Sequence, residues 1–244
     1  MASHLLFLCL AVVLPVWDVF ETRRLKARRD DARAKVQSYA KTMAVLWGAA
    51  LWAWGILGSR VFRTPSIRAA LPFLTRGAAP QIAAGLVAGA AMGLLVLPLA
   101  AARSTALRAK LVRPYARLDF FLPTRPAEFR LFPLVCLTAG VCEEVLFRAF
   151  LLRYFSESAF QLGAWAAIAA ACVVFGIAHF YQGLAGVIVT AVLGFGLTML
   201  YLWTGSLAAP MVLHILIDLR AWLVLWLNRS GAVNPSAARI VTGL

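Results

Sequence analysis

Apolar residues in this chain come in long unbroken runs, not in alternation. A bilayer core of about 30 Å needs about 20 apolar helical residues. Runs of about that length cover Leu5–Phe20, Thr42–Leu57, Ile82–Ala102, Leu131–Leu152, Gly163–Phe180, Leu184–Trp203 and Leu207–Leu227. The pattern predicts an all-α fold, a polytopic transmembrane helical bundle with about seven to eight spans. The first two runs are short, as tilted or partly interfacial helices would be. An eighth element is expected over Val112–Leu122, where Arg113, Arg117 and Asp119 favour an amphipathic surface helix. No internal repeat is evident.

Charges set the orientation. The segment 21–41 carries Arg23, Arg24, Lys26, Arg28, Arg29, Arg33, Lys35 and Lys41, and the segment 103–130 is similarly basic. Between them, 59–80 holds only Arg60, Arg63, Arg68 and Arg76. The positive-inside rule puts the two richer loops in the cytoplasm, the N-terminus outside and the C-terminus inside. The N-terminal run lacks a basic region before it and a small-residue cleavage site after it, so it reads as a retained anchor. Gly85, Gly89 and Gly93 form one small-residue stripe, and Gly186, Thr190, Gly194 and Thr198 another. Close intramolecular helix packing is the expected use of both, with a dimer face as the other use.

Composition agrees with a membrane class. Hydrophobic residues make up 62% of the 244 and charged ones 14%, with a mean hydropathy of +0.82. A soluble domain is about 45–50% apolar and about 25% charged. The formal net charge of +14 sits in the gaps between apolar runs, so it reports orientation and not nucleic-acid binding. Cys9, Cys136, Cys142 and Cys172 lie inside apolar runs without a CxxC and read as small buried hydrophobes.

From Leu131 onward the pattern changes, because the apolar runs themselves contain charges. A charge at the bilayer centre costs about 2.5–3.5 kcal/mol on insertion scales and is functional by default. Glu143, Glu144 and Arg148 fall in CEEVLFRAF, Phe175 and His179 in FGIAHF, and His214 and Asp218 in HILID. Glu144 and Arg148 are four apart, so they share a helix face and can pair as an orienting ion pair. Glu143 is turned by about 100° from Glu144 and has no local cation. Such a carboxylate suits a general base that takes a proton from water and later returns it. Asp218, four residues after His214, could hold its imidazole in one tautomer, or both could point at a shared centre. Counting about 1.5 Å per residue puts Glu143 and His214 at similar depth, with His179 nearer the cytoplasmic end. A cavity open to the cytoplasm would connect them.

The three motifs resemble those of the CAAX-protease and bacteriocin-processing (CPBP, or Abi) family of intramembrane proteases. That family has Glu-Glu-x-x-x-Arg, Phe-x-x-x-His and His-x-x-x-Asn or Asp, and this chain reads Glu143-Glu144-x-x-x-Arg148, Phe175-x-x-x-His179 and His214-x-x-x-Asp218. The stretch TGSLAAPMVLH is similar as well. The likeness covers about Leu131 to Leu227. It divides the chain into N-terminal spans and basic loops over 1–130, a CPBP-like catalytic helical core over 131–228 and a tail over 229–244. The resemblance implies a multi-pass integral membrane endopeptidase, in a bacterial inner (plasma) membrane. It would cleave a membrane-associated peptide or protein: C-terminal tails, lipidated peptides or sorting peptides. Glu143 and His179 would activate water, while His214 and Asp218 would stabilise the oxyanion. Glu144, Arg148 and Phe175 would orient them. Asp at 218, where eukaryotic relatives have Asn, is a departure, since an ionised carboxylate repels an oxyanion. The glutamate mechanism needs no cofactor. The alternative is zinc held by Glu143, His179, His214 and Asp218, although no His-Glu-x-x-His helix is present. The competing classes are a proton-coupled transporter, whose relays use the same residue types, and a non-catalytic scaffold.

Overall fold

The computed structural model describes residues 1–28, 31, 33–74, 79–101, 103–158 and 160–232. Residues 233–244 of the expected tail, together with Arg29, Arg76 and Ala102, lie outside the described residues, and 229–232 continue the last helix. The architecture is a helical bundle with no strand among the described residues. Helix α1 spans Ala2–Ala27 with a few wide turns at Cys9–Val13, and α2 is Ala34–Leu57. Helix α3 is Ala79–Ala101 and α4 is Thr105–Val112. Helix α5 runs regularly over Pro126–Glu143 and continues in π-type turns over Glu144–Leu151. Helices α6, α7 and α8 are Ala164–Ala178, Leu184–Thr204 and Ala208–Ala232.

Each of the seven apolar runs becomes a helix, six of them long and one, α6, short. Among the described residues four stretches are long and apolar enough to cross a membrane: Ala2–Ala27, Ala34–Phe62, Leu184–Thr204 and Ala208–Arg229. The first two helices outrun their apolar runs because basic turns, 21–27 and 34–41, continue them at one end. Helix α6, with 15 residues, reaches only about 22 Å. The surface element also differs from expectation. Ser104 accepts from the Leu107 amide at 3.2 Å and starts α4 early. Pro114 has no amide proton to continue an α-helix, so the chain tightens into a 3₁₀ turn over Arg113–Leu118.

Helix α5 is the axis of the bundle. Its start is closed by Glu128, whose Oε2 accepts from the Thr124 and Arg125 amides at 2.7 and 3.1 Å, with Pro126 at the first helical position. From Leu146 to Phe155 every side chain is buried, as expected of a helix enclosed on all sides. Leu6 and Leu10 of α1, Ala53 and Leu57 of α2, and Ile168 and Ala171 of α6 pack into the same core. The α7 stripe serves this packing. A side chain at Gly194 would collide with Phe175 Cδ1 at 2.7 Å, and one at Gly176 of α6 with the Val187 carbonyl at 2.7 Å. The α3 stripe does not: a Cβ on Gly85, Gly89 or Gly93 would meet nothing within 4 Å. Intramolecular packing, the use expected of both stripes, therefore holds for α7 only.

Lys35 pins the loop that leads into α5, donating to the carbonyls of Asp119 and Leu122 at 2.6 and 2.8 Å. At the opposite end Arg153, buried in the core, donates to the Ala149 and Arg63 carbonyls, and Tyr201 donates to the same Arg63 oxygen. These two knots hold the two ends of α5.

Candidate active site

Glu143 ends the regular part of α5 and Glu144 opens the π-type turns, so the two carboxylates leave the helix in different directions. Glu144 is fully buried and turned into the bundle. Its Oε1 accepts from Arg148 at 2.9 Å and from His214 Nδ1 at 2.7 Å. Arg148 also donates to the Gly194 carbonyl at 3.2 Å and lies 4.3 Å over the Phe175 ring. The expected Glu144–Arg148 pair is present, and it is shared with a third helix.

His179 caps α6. Its Nδ1 lies 2.8 Å from the Phe175 carbonyl, which can only accept, so the proton is on Nδ1 and Nε2 faces the site. Phe175 also stacks edge-on against His179, His214 and Phe147, filling the space behind both imidazoles. His214 has its Nδ1 proton committed to Glu144, since that carboxylate too is an acceptor. The expectation that Asp218 could hold this tautomer gives way to Glu144: Asp218 Oδ2 stands 3.8 Å from Nε2, an ion-pair distance and not a hydrogen bond.

The two imidazoles converge on one atom. Glu143 Oε2 lies 3.8 Å from His179 Nε2 and 3.9 Å from His214 Nε2. That oxygen is buried without a hydrogen-bond partner. The gaps are too long for direct hydrogen bonds and suit a bridging water. Nε2 of His179 thus reaches Glu143, although the residue count put His179 nearer one end of the bundle. Helix α6 is short, and its C-cap is His179. Residues from α5, α6 and α8 that are far apart in sequence thus share one centre.

These groups line a cavity of about 520 Å³, whose walls also include Leu10, Leu46, Leu193 and Leu197. Among the described residues no group of three or more His, Cys, Asp or Glu side chains is placed to hold a metal ion. Asp18 of α1 lines the cavity too. Sequence reading passed over it, although the signal was there: a charge inside the first apolar run.

Residues 125–220 match a family model described as type II CAAX prenyl endopeptidase Rce1-like. The matched segment overlaps most of the 131–227 stretch and contains all seven motif residues. No curated protein and no solved structure matches the chain significantly.

Proposed function

We propose, from the match of residues 125–220 to the type II CAAX prenyl endopeptidase Rce1-like family model, that the chain hydrolyses membrane-proximal peptide bonds with a water activated by Glu143 and His179. The observation that carries the reading is the convergence of Nε2 of His179 and of His214 on Oε2 of Glu143, at 3.8 and 3.9 Å. A water seated there donates one hydrogen to the Glu143 carboxylate and the other to the free Nε2 of His179. Its oxygen attacks the peptide carbonyl as Glu143 takes the first proton. The carbonyl oxygen becomes an oxyanion. His214 in its imidazolium form presents Nε2–H to it, with Nδ1–H held by Glu144. Glu143 then passes its proton to the peptide nitrogen, and the C–N bond breaks. Asp218, the most exposed of the four at 33%, supports the oxyanion as a hydrogen-bonding side chain when protonated. The apolar walls suit a tail or a lipidated peptide that enters from the bilayer.

The test uses purified protein in vesicles with membrane-proximal peptides, lipidated and not, with and without chelator. Glu143→Gln removes the base with little change of shape, and a fall in kcat/KM of about 10²–10⁴ is expected. Activity within a few-fold of wild type would sink the assignment. Activity that is abolished by chelator and restored by zinc would replace this mechanism with a metal-dependent one.

A further inference from the structure

Asp18 takes no part in the three motifs. It stands in Ala2–Ala27, a helix long and apolar enough to cross a membrane. A carboxylate in such a helix is normally paired, because desolvating an unpaired charge is costly. Glu21, three residues on, is paired: its carboxylate lies 3.5 Å from Arg24 and 3.7 Å from Lys41. Asp18 has neither a hydrogen bond nor an ion pair among the described residues. It lines the same cavity as Glu143, His179, His214 and Asp218. The charged groups that bear on it are Glu143 and Glu21, both acids. Lys110 and Arg220 border the cavity from α4 and α8, and neither forms an ion pair with it. The second half of α1 packs beside the turn Phe180–Gln182, which follows His179, so Asp18 belongs to the His179 side of the cavity.

We propose that Asp18 is a specificity-determining residue that receives a cationic group of the peptide, a Lys or Arg side chain close to the cleaved bond. The proposal rests on the peptidase reading above and adds a substrate class to it. An ammonium or guanidinium brought into the cavity supplies the partner that Asp18 lacks among the described residues. A charge-assisted hydrogen bond of this kind is stronger than a neutral one, and it forms only when substrate is bound. An apolar residue at the same place leaves the carboxylate desolvated and unpaired, which gives discrimination in both directions.

Binding and cleavage are measured separately. Dye-labelled peptides with one common apolar tail carry Lys, norleucine or Glu at each position flanking the cleaved bond. They are titrated against the Glu143→Gln protein in vesicles, so that affinity is read without turnover. With Asp18 intact, Lys at one position should bind about tenfold tighter than norleucine. Adding Asp18→Asn should bring that ratio to about one, Asp18→Glu should retain it, and Asp18→Lys should favour Glu. Thermal unfolding of each variant checks that the fold is kept. The same ratios should appear in kcat/KM when Glu143 is restored. Equal affinity for Lys and norleucine at every position would overturn the proposal, as would a Lys preference that survives Asp18→Asn. Selectivity that depends on Asp18 in a protein that cleaves no peptide would support the proposal and sink the peptidase reading.

Discussion

Two hydrogen bonds converge on one oxygen of Glu144, from Arg148 at 2.9 Å and from His214 at 2.7 Å. The first was legible in the sequence, because residues four apart share a helix face. The second joins residues 70 positions apart, and no local spacing encodes it. Removing Arg148 leaves a fully buried carboxylate with His214 as its one remaining partner on that oxygen, and breaking a buried pair costs about 3–5 kcal/mol. Arg148→Ala should therefore lower yield and melting temperature more than Glu143→Gln does. Equal yields and melting temperatures for the two variants would count against the pair as a structural element. Asp218 gives the opposite expectation. Glu144 already holds the His214 tautomer, so on the proposed mechanism Asp218 has a hydrogen-bonding task that an amide can perform. Asp218→Asn should keep activity within about tenfold of wild type, since a neutral hydrogen bond is worth about 1 kcal/mol net. An inactive variant rescued by zinc would make Asp218 a metal ligand.

The site is assembled across the crossing of α5 and α8. Gly140 lies one turn before Glu143, and a Cβ there would meet the Ile215 side chain, the Ile215 amide nitrogen at 3.0 Å and the Met211 carbonyl at 3.2 Å. Two of those neighbours are backbone atoms, so they yield only if the helices separate. Gly140→Ala should cost about 1–3 kcal/mol and also reduce peptide cleavage, because the Glu144–His214 bond spans this interface. Gly85→Ala is the matched control: its Cβ meets nothing within 4 Å, and melting temperature and activity should stay at wild-type values. An equal response of the two variants in thermal unfolding would refute close approach at Gly140. In the sequence Gly140 stood outside both small-residue stripes. A lone glycine on a helix shows its purpose only when the neighbouring helix is in place.

At the scale of the molecule, the basic ends coincide. The last turns of α1 and α3, the first turns of α2 and α5, and α4 all lie toward Lys35, Arg108 and Lys110, and Arg108 donates to the Leu227 carbonyl near the end of α8. The alternation of helix directions follows from the run order. Positive-inside orientation then predicts that a cysteine at Arg117 is labelled from the cytoplasmic side and one at Ser66 from the other, in a background without the four native cysteines. Labelling of both from the same side would refute the orientation. The sequence alone determined the class, the places of the helices and which charged residues lie inside the apolar runs. Run length against bilayer thickness and the cost of intramembrane charge are local properties of the chain, readable without a fold. The tertiary structure alone decided which groups meet. It brought His179, at the C-cap of α6, to within 3.8 Å of Glu143. It gave His214 to Glu144 instead of Asp218, and it placed Asp18 at the cavity without a partner among the described residues. Contacts between helices depend on how their faces pack in three dimensions, and spacing along one helix carries no information about the next.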